Sequence, residues 1–298
     1  MAAGRRPPRR GPERKRRPHL DPAAAGLVIP APSGAGPTLA RRRFEAVAAA
    51  GAAEGALPGD EAALLALSGA EVKRIGEIPY GSNAVFLLEL DATLPGTAES
   101  VRAIYKPMRG ERTLWDFPQH TLFLREAGAY QVDAALGLGH VPPTALRDAP
   151  FGPGSAQLFV EPASERPAAQ AEDELEAQLH DIAALDVLVN NADRKRSHLM
   201  LVSDGRLRAI DNALTFLPYP RQRTALIALG GEPLPDATAN RVQSLAGDAA
   251  RLDALRTRLA RLLSDVEVEA FVHRVKELAD DPTYPVLDDW DGRPFEWW

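Results

Sequence analysis

The sequence predicts an α+β fold of two lobes, a small β-rich lobe followed by a mostly helical one. Three observations carry this. Short apolar runs bounded by turn residues cluster between residues 71 and 106 and return at 156–161. Helical spacing dominates from residue 173 onward, interrupted by one small hairpin. Between the two regimes, residues 162–171 have the Pro- and Ala-rich texture of a linker. With 298 residues, 45% of them hydrophobic and 26% charged, the chain is long enough to bury a sizeable core.

Residues 1–40 make the first unit, a basic tail expected to be disordered. Residues 1–20 hold eight Lys or Arg against Glu13 alone, which is +7 in a chain whose total is −6 and leaves −13 for the rest. Pro7, Pro8, Pro12 and Pro18 interrupt the run, and such a segment cannot bury apolar surface. It reads either as an arm for nucleic acid or anionic lipid, or as a solvated extension. The body is acidic and no aromatics interleave the arginines, so the folded part is not expected to bind nucleic acid stably. There is no cysteine, which excludes disulfides, thiolate metal sites and cysteine nucleophiles. No run approaches the roughly 18 apolar residues of a membrane span. The start lacks a secretory hydrophobic segment, so a cytoplasmic location is expected.

Residues 41–161 form the first lobe. Residues 41–68 are Ala-rich and suit short helices; 71–78, 84–90 and 101–106 read as strands. A helix is expected over 121–136, with Leu122, Glu126 and Tyr130 on one face and Gly137 as its stop. Trp115 and Phe117 before it read as packing anchors of this lobe, and 156–161 as a buried strand.

Residues 162–298 form the second lobe. A helix over 173–189 carries Ile182, Leu185 and Val189 as its core stripe. Strands are expected at 198–202 and 207–211, then helix from Pro220 to about Ala279, with Ser264 and Glu267 as a capping box for the last one. The aromatic end, from Trp290 to Trp298, is expected to dock on this lobe.

The hairpin places two candidate ligands. Asp204-Gly205 between apolar runs signals a two-residue type I′ loop, and that register sets His198 opposite Asp211. An imidazole and a carboxylate there either share a metal ion or form a plain hydrogen bond at a sheet edge. The loop before the hairpin delivers Asp193, so that one carboxylate can orient or deprotonate a nucleophile while another holds a cation. Arg194, Lys195 and Arg196 read either as a solvated run or as a phosphate clamp.

The first lobe supplies the complementary end. Gly81, Ser82 and Asn83 lie between two strands, where backbone N–H groups can cover phosphates. Lys106 ends an apolar strand, and a cation there needs an anion; Glu126 on the next helix can supply it. A strand Lys bridged to a helix Glu under a small-residue loop positions phosphates in kinases.

The motifs GSNAVF, AIYKPMRGERTLWDFP, FLREAGAYQ, GHVPPTALRDAPFGPGSAQLFVE, DVLVNNADRKRSH, AIDNA and GGEPLP resemble those of the bacterial phosphatidylinositol 3-/4-kinase-like family. That family is related to type II phosphatidylinositol 4-kinases and HipA-type serine kinases, and the resemblance spans about residues 71–280. It implies a protein-kinase-like bilobal fold and an ATP-dependent phosphotransferase using Mg²⁺ or Mn²⁺. Gly81, Ser82 and Asn83 would lie over the phosphates, and Lys106 would contact them while paired with Glu126. Residues Gln157 to Glu161, including Phe159 and Val160, would form the hinge that reads adenine. Asp193 would act on the acceptor hydroxyl and Asp211 would bind the metal. Two departures stand out: His198 occupies a position where Asn is usual, and Asn212 and Ala213 follow Asp211 where a glycine is usual. They make a pseudokinase, binding nucleotide without turnover, the alternative. In the segment 214–235, Arg221 and Arg223 are candidate anion contacts, too few for a membrane inositide. A protein Ser/Thr or small-molecule hydroxyl is the expected acceptor.

Overall fold

The computed structural model describes residues 39–79, 83–164 and 172–294. Two helices, α1 (Leu39–Ala50) and α2 (Glu61–Gly69), lead into strands β1 (Val72–Glu77), β2 (Phe86–Thr93) and β3 (Ser100–Pro107). Helix α3 (Leu122–Leu136) follows, then β4 (Thr144–Ala149) and β5 (Gly152–Leu158). The five strands form one antiparallel sheet in the order β1-β2-β3-β5-β4. Alternation decides its faces. Phe86, Leu88 and Leu90 of β2 and Val101, Ala103 and Tyr105 of β3 are buried in a core shared with α2 and α3. The period of two therefore puts Lys106 on the opposite face from Tyr105. Helix α3 ends where expected, with Gly137 in the left-handed conformation at φ 69°.

The second lobe begins with α4 (Glu172–Val189), whose Ile182, Leu185 and Val189 are fully buried. The hairpin β6 (Leu199–Leu201) and β7 (Leu207–Ala209) comes next, then α5 (Asp236–Gly247), α6 (Ala249–Ala260) and α7 (Asp265–Asp280). Ser264 and Glu267 make the expected capping box at the start of α7. Glu267 has a second role. Arg125, fully buried on α3, donates to it and to the carbonyl of Thr215, and this tethers α3 to the second lobe. Among the described residues, no helix is long and apolar enough to cross a membrane.

Several expectations are corrected. The strand expected at 156–161 runs from Gly152 to Leu158, and β4 was not expected. Its sequence, TALRDA, carries two charges and lacks alternation. Gly154 stands within β5 because β3 passes so close: a Cβ there would lie 2.5 Å from the Lys106 carbonyl oxygen. Residues 221–235 are not helical apart from one 3-10 turn at Ile227–Leu229. Their backbone is committed elsewhere: Arg223 N–H donates to Asn191, Arg194 N–H to Arg223, and Ala225 N–H to Arg194. Trp115 is no anchor, being 85% exposed. Phe117 is buried, but with Leu122, Ala192, Ala213 and Leu217, at the junction of the lobes. The carboxy-terminal segment crosses the second lobe, with Thr224 N–H donating to Gly292 O, while Trp290 is exposed. Residues 1–38, Gly81, Ser82, and the aromatics Phe295, Trp297 and Trp298 lie outside the described residues.

Candidate active site

Four side chains from four parts of the chain meet between the lobes. Lys106, from the end of β3, forms an ion pair with Glu126 on α3 and a second with Asp211, Nζ to Oδ1 at 2.7 Å. Glu126 is only 2% exposed, and its other oxygen accepts from the Asn212 amide at 2.9 Å. Burial opposes the Lys106 ammonium, but the Asp211 and Glu126 carboxylates outweigh it and hold the pKa above the ordinary lysine range. Lys106 in turn holds the Asp211 carboxyl well below the usual carboxylate range. Burial pushes Glu126 up, against the pull of Lys106. Lys106 is therefore a fixed cation, and Asp211 is ionised.

His198 and Asp211 are neighbours, but not by the expected register. The hairpin pairs Leu199 with Ala209, Met200 with Arg208 and Leu201 with Leu207. Its loop has three residues, with Val202 N–H donating to Arg206 O and Gly205 at φ 82°. A three-residue loop ending in a left-handed glycine is the next commonest hairpin connection, and it slips the register by one. His198, in a 3-10 turn rather than a strand, then stands opposite Ile210, whose amide donates to its carbonyl. Asp211 reaches His198 because it leaves the strand in the left-handed conformation, at φ 57°. That turn brings Oδ2 to 3.5 Å from His198 Nε2. Burial depresses the His198 pKa to about 4, so the imidazole is neutral at pH 7. Its Nδ1 accepts from the Lys195 amide, which turns Nε2 toward Asp211, where it carries the proton while the site holds no cation and gives it up to ligate one.

Asp193 sits beside this group. Its amide donates to Asn191 Oδ1 at 2.9 Å, and its Oδ2 lies 2.7 Å from Lys195 Nζ. Burial raises its pKa, Lys195 pulls it down, and the negative charge of Asp211 adds to the rise.

Sequence reasoning missed the scaffold beneath. Asp186, near the end of α4, is fully buried and receives Arg194 Nε at 2.9 Å and Nη2 at 2.8 Å. Arg194, 0% exposed, also donates to Asn212 Oδ1 at 2.6 Å and to the Ile210 carbonyl at 2.9 Å. It is therefore a buried tie between the loop of Asp193 and the loop of Asp211, and neither a solvated residue nor a phosphate clamp. Asn191 bonds the same Asp186 carboxylate, and Asn190, at φ 49°, staples the carbonyls of Leu217 and Tyr219. The available signal was Asp186 itself, a carboxylate within the apolar end of a helix.

The remaining candidates are placed as follows. Asn83 Oδ1 accepts from the Arg112 amide at 2.7 Å, tying the β1–β2 connection to the segment after β3. Gln157 is buried in β5 and donates to Thr144. The Phe159 amide donates to Arg102 O at 2.9 Å, and the Arg102 guanidinium stacks on its ring at 4.6 Å. The Phe159 N–H is thus committed to the sheet, which removes it as an adenine contact, whereas Val160 lies beyond the pairing. His180 is structural, bonded through Nδ1 to the Tyr284 hydroxyl.

The donor set fits a divalent cation. Asp211 is 49% exposed and its Oδ2 lies beside a neutral imidazole. Among the described residues, no group of three or more His, Asp or Glu could hold a metal by itself. Two protein ligands, with phosphates and water for the rest, suit the way Mg²⁺ is bound in phosphoryl-transfer sites. The nitrogen donor shifts the preference toward Mn²⁺.

No family model matches the chain. The protein Rv2133c of Mycobacterium tuberculosis is 33% identical over 274 residues, covering 80% of this chain and 95% of that one. The chain belongs to the Rv2133c family. Among solved structures, hydra Fam20 with sugar matches with a TM-score of 0.52 and 16% identity, over 72% of this chain and 85% of that one. A Golgi casein kinase matches at 0.48 and 14%, over 72% and 73%. At such identities the likeness concerns the fold, and this member of the Rv2133c family has a bilobal α+β kinase-like fold.

Proposed function

We propose that this chain is an ATP-dependent phosphotransferase of phosphatidylinositol 3-/4-kinase-like type, acting in the cytoplasm on a hydroxyl acceptor. The observation that carries the reading is Lys106, fixed as a cation by buried Glu126 and ionised Asp211, with His198 Nε2 3.5 Å from Asp211 and Asp193 near enough to feel the Asp211 charge. In this reading residues 41–161 hold the nucleotide and 162–298 carry the chemistry. Lys106 binds the phosphates, with the backbone of Gly81, Ser82 and Asn83 over them. Residues 157–161 line the adenine end, with Val160 as the contact. Asp211 and His198 would hold Mg²⁺ or Mn²⁺, whose chemistry there would be charge neutralisation on the phosphates.

Asp193 accepts the acceptor's hydroxyl proton as the new O–P bond forms to the γ-phosphorus. The bond to the bridging oxygen breaks, and ADP leaves with its electron pair. Lys195, 2.7 Å from Asp193, supplies a cation where negative charge develops. The acceptor is a protein Ser/Thr or a small molecule rather than a lipid. Arg221 pairs with Asp116 and Arg223 with Asp291, both at 3.6 Å, so neither is reserved for an anionic head group.

One observation favours the pseudokinase reading. Asn212, in place of a glycine, is locked into the Arg194 network. Asp193→Asn separates the two. In an enzyme, turnover falls by roughly 10²–10⁴-fold, the contribution of a general base, with nucleotide affinity kept. A wild-type protein that binds ATP but transfers phosphate to no hydroxyl and not to water is the pseudokinase.

A further inference from the structure

A cavity whose lining includes none of Lys106, Glu126, Asp193, His198 and Asp211 lies beside α3. It has a volume of about 300 Å³ and opens between α1, α2, α3, β4 and α6. That is room for roughly ten non-hydrogen atoms at about 30 Å³ each, near the lower limit for small-molecule sites. Phe44, Val47, Leu65, Ala127 and Leu146 give it an apolar lining, and Leu65 is exposed at 59% although it is a leucine.

The polar part of the wall carries three arginines, Arg147, Arg258 and Arg261, against two carboxylates, Glu54 and Asp148, and is incompletely satisfied. Arg147 on β4 is 5% exposed and lines the cavity. Its terminal nitrogens donate to Leu67 O at 3.0 Å and Ala70 O at 2.9 Å. Its Nε is buried with no hydrogen-bond partner among the described residues. A buried orphan donor on a guanidinium is costly, and such groups call for a missing acceptor. Arg258 also lines the cavity and donates to the neutral amide of Gln131 at 2.7 Å, while Arg261 pairs with Glu54. Burial pushes both Arg147 and Arg258 below the ordinary arginine range, and the nearby carboxylates of Asp148 and Glu54 offset this only in part.

We propose that this cavity binds an amphipathic monoanion, a carboxylate on an apolar body of about ten non-hydrogen atoms, with its head on Arg147. The body packs on Phe44, Val47 and Ala127. Ala127 follows Glu126 on α3, so the occupant rests against the helical turn that carries the Lys106 partner.

Calorimetric titration of the full chain with octanoate and with octanol tests this without reference to enzymatic activity. Octanoate is expected to bind saturably at one site, at least about tenfold more tightly than octanol, the ratio a charge-assisted hydrogen bond supplies. Arg147→Met, which removes the charge and the donors, is expected to erase that preference. Ala48→Trp, which fills the cavity from an exposed position of α1, is expected to abolish binding of both; it decides the matter if the Arg147 variant fails to fold. Absence of saturable octanoate binding, equal affinity for acid and alcohol, or octanoate binding unchanged in Ala48→Trp would each overturn the proposal.

Discussion

Asp186→Asn is the sharpest test of how the site is built. The side chain keeps its size and loses its charge. In the native protein, Arg194 and Asp186 are both fully enclosed, and the carboxylate receives Arg194 Nε and Nη2 as well as Asn191 Nδ2 at 3.0 Å. The amide can neither neutralise the guanidinium nor accept all of these donors. Removing one partner of a buried pair costs about 3–5 kcal/mol, because the other charge stays buried. Against a total stability of about 5–15 kcal/mol this is a large fraction. At roughly 2–4 °C per kcal/mol for a chain of this size, the melting temperature should fall by about 6–20 °C. Scanning calorimetry measures that, and urea titration gives the free energy. The double variant Asp186→Leu with Arg194→Met removes both charges and should recover most of the loss, since apolar replacement of a buried pair is often neutral. A single variant within about 1 kcal/mol of wild type would refute the claim that Arg194 ties the Asp193 and Asp211 loops together.

Gly154→Ala should destabilise by about 1–3 kcal/mol, because its Cβ would lie 2.5 Å from the Lys106 carbonyl oxygen and 2.6 Å from Tyr105 Cε2. Gly76→Ala, with nothing within 4 Å, is the control; equal melting temperatures for the two variants would contradict the packing argument. Burial raises Glu111 from 4.5 to about 7, so the folded state binds that proton more tightly than the unfolded state. Stability from this group is greatest below about pH 4.5 and is lost as pH rises toward 7; Glu111→Gln should remove that slope, read from urea midpoints at pH 5 and 7. His198 has the opposite sign, because its depressed pKa of about 4 removes stability as pH falls below 6.5, so the difference between wild type and Glu111→Gln isolates the glutamate. An unchanged slope in that variant would contradict the assignment.

The elements that depend on local pattern were legible in the sequence. Three strands of the first lobe, α3 with its Gly137 stop, and the α4 core stripe all follow from periodicity and stop signals. So did the Lys106–Glu126 pair, because a lysine ending an apolar strand requires a nearby carboxylate. What failed was decided by backbone geometry. The hairpin register turned on one residue, since Asp-Gly serves both two- and three-residue loops, and Gly205 takes the left-handed position of the longer one. Asp211 still met His198, through its own positive φ, which spacing does not encode. β4 was hidden because its charges, such as the buried Arg147, serve long-range contacts with the end of α2 instead of an alternating pattern. The Asp186–Arg194–Asn212 tie spans three segments, and the run Arg194-Lys195-Arg196 gave no sign that only its first member is buried.

The central claim is that Lys106, Asp193, His198 and Asp211 form a metal-dependent nucleotide site. It is tested most directly by ATP binding and γ-phosphate transfer, with Mg²⁺ and Mn²⁺ side by side, on wild type and Asp211→Ala. Wild type should show a metal-dependent thermal shift with ATP, accompanied by phosphate transfer, and the variant should lose both. No shift with either metal, or a shift and transfer that survive in Asp211→Ala, would contradict it.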